Sequence, residues 1–218
     1  MENKRTHGFT LIVVLTFLTT NLMTINFSQA QKVSLTEAKP FLTAFQEQIE
    51  IPAVYKFVSV NKVKIDTVSA YLFRYEKDEN KGLEGEHFSF LVGERDQKIL
   101  GFINMDKKYA NAKLLPDEEA EKIALGFLNR IDAGLAAELK KQWNARHDDS
   151  ININGEKTTL AVSKFKYYRS SLNDYVWVYV GFDGAVQSFE RDTKWDMEKR
   201  QRFAEQWIHD GWRINNKK

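Results

Sequence analysis

One stretch, residues 87–131, constrains this chain more than any other. It opens with Phe88, Phe90 and Val92, apolar residues at every second position, and continues through Ile99, Phe102 and Ile103. A period of two belongs to a strand with one buried face, so these runs predict the two strands of a hairpin. The stretch closes with Ala120, Ile123, Ala124, Phe127, Leu128 and Ile131, the stripe of an amphipathic helix. Pro116 begins that helix, and Asp117, Glu118 and Glu119 suit the positive end of its dipole. A helix laid on one face of an antiparallel sheet buries both apolar surfaces at once.

The same order recurs near the C-terminus. Val176, Val178, Val180 and Gly181 match Phe88, Phe90, Val92 and Gly93 without gaps. Asp183-Gly184 supplies a tight hairpin turn, and Val186 and Phe189 match Ile99 and Phe102. Phe165 to Arg169 parallels Ala70 to Arg74, and Phe203, Ala204, Trp207 and Ile208 match Ile123, Ala124, Phe127 and Leu128. The expected fold class is therefore α+β: two tandem units of three-stranded antiparallel sheet packed by helices, after an N-terminal signal segment. Each unit reads helix, three strands, helix over roughly 90 residues. The expected division is 1–30 signal peptide, 31–132 first unit and 133–218 second unit.

Leu42, Phe45 and Ile49 form the stripe of a first helix. Ser34 and Glu37 have capping-box spacing, but Pro40 would then lie inside the helix, so the expected start is close to Pro40. Val54 to Val60 and Val63 to Phe73 read as strands, and Lys77 to Gly85 as a solvated loop. Leu135, Leu139 and Trp143, every fourth residue, predict a short helix. Residues 146–157 read as a polar connection with Asn154-Gly155 as a turn.

The N-terminus carries an address. Lys4 and Arg5 precede an apolar stretch from Phe9 to about Ile25. Ser28-Gln29-Ala30 then offers the small residues that a signal peptidase requires, so cleavage is expected between Ala30 and Gln31. This places the mature protein outside the cytoplasm, secreted or on the outer side of the cell envelope. An uncleaved anchor is the alternative, weakened by Thr20, Asn21 and Asn26. A third reading starts from Gly8-Phe9-Thr10-Leu11-Ile12, which resembles a type IV prepilin cleavage site, although Val13 stands where that family carries Glu. It would make the chain a pilin-like assembly subunit. The chain has no Cys, which excludes a lipoprotein anchor, disulfides and thiolate chemistry.

Phe88 to Met105 and Leu115 to Leu128 resemble PepSY-type domains, as does the hairpin from Val176 to Glu190. In that family an alternating strand enters a hairpin, returns as a short apolar strand and is followed by a helix on the sheet. Asp183-Gly184 keeps the Asp and Gly near the family's turn; Arg95-Asp96-Gln97-Lys98 lacks the Gly. The resemblance implies binding and inhibition of peptidases, or an accessory role in the envelope, with no catalytic motif.

The residues themselves point the same way. Hydrophobic residues make up 43% of the chain and aromatic residues 13%, enough for a packed core. The net charge is +2 with the signs interspersed, so no basic face for nucleic acid is expected. A metal centre needs converging ligands. The nearest approach is His147-Asp148-Asp149, which reads as a polar turn, while His209 suits a helix C-terminus. Ser170, Ser171 and Ser188 lack the glycines of a nucleophile elbow, and no phosphate-cradling loop is present. Neither an enzyme nor a cofactor is expected. What remains is aromatic: all five Trp lie in the second half. Tyr175, Trp177 and Tyr179 share one strand face, opposite Val176, Val178 and Val180. The valines should sit beneath Phe203, Ala204 and Trp207, leaving the aromatic face to pack internally or to bind. The expected function is a non-catalytic exported binding module with a protein or peptide partner, and the resemblance makes a peptidase the candidate. A membrane would be met only through an uncleaved N-terminus.

Overall fold

The computed structural model describes residues 30–199 and 201–216. The expected signal segment, apart from Ala30, and the motif at Gly8–Ile12 lie outside the described residues. Gln31 opens the first strand, β1 (Gln31–Lys32), and is followed by helix α1 (Leu35–Gln46). Four strands come next: β2 (Lys56–Ile65), β3 (Val68–Glu76), β4 (His87–Gly93) and β5 (Ile99–Met105). Helices α2 (Asp117–Ile131) and α3 (Leu135–Glu138) lead to β6 (Leu139–Ile153), β7 (Glu156–Arg169), β8 (Asp174–Val180) and β9 (Val186–Thr193). The chain ends with the two-residue strands β10 (Trp195–Asp196) and β11 (Gln201–Arg202) and helix α4 (Asp210–Asn215).

The main strands form one nine-stranded antiparallel sheet in the order β1-β2-β3-β4-β5-β9-β8-β7-β6. The expectation of two separate three-stranded sheets packed by helices is overturned. Separate sheets would leave the backbone edges of β5 and β9 unpaired, and an unpaired edge seeks a partner. Here each edge takes the other: Gly101 faces Glu190, Phe102 faces Phe189 and Ile103 faces Ser188. Gly101 permits the approach, because a Cβ there would lie 2.8 Å from the Phe189 carbonyl oxygen. Ser188 Oγ also donates to the Phe102 carbonyl at 3.0 Å.

The helix-bearing face holds a dense aromatic core. The Phe45 ring of α1 stacks on Phe90 at 3.7 Å, and Phe73 stacks on Phe90 at 4.7 Å. Phe127 of α2 meets Phe102 and Phe189 edge-on at 5.9 and 5.1 Å, across the joint between β5 and β9. Val176, Val178 and Val180 are buried in this same core, so α2 covers them and not the C-terminal residues. Each half of the sheet thus follows its helix in sequence.

Ser34 caps α1, its hydroxyl accepting from the Glu37 N–H at 3.1 Å. The helix starts at Leu35 and Pro40 lies inside it, contrary to the expected start. Pro40 has no N–H to donate to the Thr36 carbonyl, and both residues lie on the exposed side of the helix. The predicted helix over 135–143 ends at Glu138, and the polar stretch beyond becomes the long edge hairpin β6–β7. Its turn is Asn154-Gly155, with φ of 53° and 87°, the left-handed pair that a two-residue hairpin loop requires. Most of β6 faces solvent, so its sequence carries no strong apolar alternation to read.

The second sheet face is closed differently. The β6–β7 hairpin curls over it, with the Asn152 N–H donating to the Glu84 carbonyl at 2.7 Å and Ile151 and Leu160 buried. The C-terminal segment crosses the rest and buries Trp207 and Ile208. The helix expected from Phe203 to Ile208 does not form, and Phe203 is 63% exposed. Two polar contacts pull this stretch out of helical geometry: Trp207 Nε1 donates to the Lys64 carbonyl at 2.7 Å, and Arg202 clasps Glu190.

Candidate functional site

The β8 alternation places Tyr175, Trp177 and Tyr179 on the face away from the helices. Trp177 and Tyr179 are buried at 3% and 2% exposure, covered largely by their own chain, and Tyr175 is half-buried. What remains open beside them is a groove of about 580 Å³. Sheet register builds it. Trp143 on β6 lies opposite Lys166 on β7, Lys166 opposite Trp177 on β8, and Trp177 opposite Glu190 on β9. One row across four strands therefore reads aromatic, cation, aromatic, acid. In the next row Lys164 lies opposite Tyr179. The hairpin of β10 and β11 supplies the outer wall, with Trp195 paired to Arg202 and with Gln201; Gln206 lies nearby.

The charges in this groove are unequal. Arg202 is spoken for: Nη2 donates to Glu190 Oε1 at 2.8 Å, Nη1 donates to Oε2, and the guanidinium lies 4.6 Å from the centre of the Trp177 ring. His209 Nε2 approaches the same Glu190 at 2.9 Å. Burial works against the Glu190 carboxylate, but Arg202 and then His209 hold its titration far below the usual carboxylate range. Lys164 and Lys166, by contrast, have no salt-bridge partner among the described residues. Aromatic rings hold them instead. Lys166 Nζ stands 4.1 Å from the Tyr175 ring centre and 4.6 Å from that of Trp195, and Lys164 Nζ stands 4.8 Å from that of Tyr179. Burial, followed by repulsion from Arg202, pushes the Lys164 ammonium down to about 8 and lowers Lys166 as well. Two partly desolvated ammonium groups thus stand beside aromatic rings without a direct ion pair among the described residues, an arrangement that an anion could complement.

A second charged cluster anchors the end of the chain. Arg74 Nη1 and Nη2 donate to Asp210 of α4 at 2.7 and 3.0 Å, and Nε donates to Glu76 at 2.5 Å. The Glu84 N–H donates to Asp210 at 2.7 Å. His87, fully buried beside Arg74, is pushed down to about 4 by burial and then by that guanidinium, against the pull of Asp210. Every charged group here has its partner inside the fold, so this cluster secures α4.

The remaining sequence candidates separate. Asp148 pairs with Arg146 at 2.8 Å, whereas His147 leans toward Asp149 at 3.7 Å and toward the Tyr179 ring. Successive residues of a strand point to opposite faces, so Asp148 is turned away from His147 and Asp149 and the triplet does not converge. No group of three or more His, Asp or Glu among the described residues is placed to hold a metal. His209 serves Glu190 and stands before α4 instead of at a helix C-terminus. The sequence reading does not single out Lys164, Lys166 or Arg202. Their signal was the alternation of Lys164 and Lys166 with Phe165 and Tyr167, a polar face where the strand is otherwise apolar.

No family model and no curated protein matches this sequence. Among solved structures the chain is similar to the Bacillus megaterium YpeB C-terminal domain at 15% sequence identity, with a TM-score of 0.47. The likeness covers 73% of this chain and 63% of that one, so it spans less than two thirds of that structure's length.

Proposed function

We propose that the chain is a non-catalytic, exported recognition module of the cell envelope that binds an anionic segment of a partner protein in the groove between β6, β8 and the C-terminal hairpin. One observation carries this reading: Lys164 and Lys166 are held among aromatic rings and make no direct salt bridge among the described residues, Glu190 and Asp149 acting on Lys164 only from a distance. Desolvating a cation costs free energy unless something opposite in charge repays it, so an unpaired pair in a concave site favours an external anion. Export rests on the Lys4 to Ala30 address, and modulation of a peptidase on the resemblance to PepSY-type domains. Two PepSY-like units joined edge to edge account for the facing of Phe102 and Phe189, which the sequence aligns as equivalents.

The test is a titration of the full chain with poly-L-glutamate, followed by tryptophan fluorescence at low and high salt. Quenching that saturates at low salt and weakens as salt rises is expected, because exposed ion pairs are screened. No response, or an equal response to a neutral polymer, would contradict it.

A further inference from the structure

We infer that the groove takes an extended acidic peptide whose carboxylates stand at alternate positions; this rests on the reading of the groove as a recognition site. Lys164 and Lys166 occupy alternate positions of β7 on one face, so their stems are separated by about 6.8 Å. Acidic residues at alternate positions of an extended peptide repeat at that same distance. A peptide running along β7 therefore meets one ammonium with each of two carboxylates, without bending. Acids in adjacent pairs point to opposite sides of an extended chain and cannot make both contacts.

The walls suit the same ligand. Trp143 and Trp177 flank Lys166 on the two neighbouring strands. Strands lie about 4.8 Å apart, so the backbones that carry these rings stand roughly 10 Å from one another on either side of β7. Trp143 is 43% exposed and offers an apolar contact at the mouth. The amides of Gln201 and Gln206 on the outer wall can both donate and accept, as a peptide backbone demands. Arg202 is neutralised by Glu190, so the charge presented to the ligand comes from the two lysines and matches two carboxylates.

Three ligands decide the matter, each titrated into the full chain by calorimetry at low salt. The first is an eight-residue peptide alternating Glu and Thr. The second has the same composition with Glu in adjacent pairs separated by two Thr, which contains no alternate pair. The third is polygalacturonate. The alternating peptide should bind about tenfold more tightly than the paired one, and Lys164→Gln or Lys166→Gln should each weaken it about fivefold. Equal affinity for the two peptides would overturn the spacing argument while leaving the groove as an anion site. Tighter binding of polygalacturonate than of the alternating peptide would overturn the peptide assignment in favour of a glycan. Failure of all three to bind would overturn the groove reading itself.

Discussion

The two faces of this sheet are closed by different means. Over the helix face lie α1 and α2, and the space between is filled with Phe45, Phe90, Phe102, Phe127 and Phe189. Over the other face lie an irregular C-terminal segment and a curled hairpin, held by Arg202 on Glu190, Arg74 on Asp210 and the Trp207 indole on a backbone carbonyl. Apolar packing is roughly proportional to buried area and indifferent to small changes of identity. Charged contacts depend on named partners, and a charge without one is a liability unless a ligand meets it. Both faces therefore bury apolar side chains, but only the groove face adds charged clasps and accommodates two ammonium groups that stability alone would not select.

Substitutions test that contrast. The largest loss should come from Phe127→Ala, since the ring is 4% exposed and bridges the joint between β5 and β9. Chemical denaturation should show about 4 kcal/mol lost. A loss below about 1 kcal/mol would mean that α2 does not seal the joint.

The pH response of the groove face comes next. Unfolded His87 takes up a proton near pH 6.5, while the folded residue resists until about 4. The folded state binds fewer protons in that window, so stability is complete above pH 6.5 and falls as the pH drops toward 4. The fall should reach about 3 kcal/mol. His87→Leu should abolish this contribution, which urea unfolding of both proteins across the window would measure; parallel pH profiles would contradict it.

Glu190→Gln should cost about 2 kcal/mol, because it leaves the Arg202 guanidinium without its counter-charge. The same variant should loosen the C-terminal segment, seen as faster hydrogen exchange in residues 195–209 than in α2. Uniform acceleration across the protein would argue against a separately held segment. The smallest effect on stability belongs to Trp143→Ala, within about 0.5 kcal/mol, since the ring lies at the open mouth of the groove.

The same contrast explains what could be read from the sequence. The β4–β5 and β8–β9 hairpins were legible because Phe88, Phe90 and Val92, and likewise Val176, Val178 and Val180, alternate cleanly above a buried face. The stripe through Phe127 was legible for the same reason at helical spacing. The joining of the halves was not, since edge pairing between β5 and β9 is a matter of backbone groups that no side-chain pattern announces. β6 was hidden by its exposure, and the C-terminal segment by a helical spacing that distant contacts overrode. The groove was partly visible: Trp177 was singled out, but its row with Trp143, Lys166 and Glu190 exists only once four strands are in register.

The central claim is that the groove lysines serve binding and not the fold. The most direct measurement is the paired Lys164→Gln/Lys166→Gln variant, assayed for urea stability and for poly-L-glutamate binding in the same buffer. Stability should change by less than about 1 kcal/mol, or rise, because two desolvated charges are removed. Affinity should fall at least about tenfold. Unchanged affinity, or a loss of binding that merely follows unfolding, would contradict it.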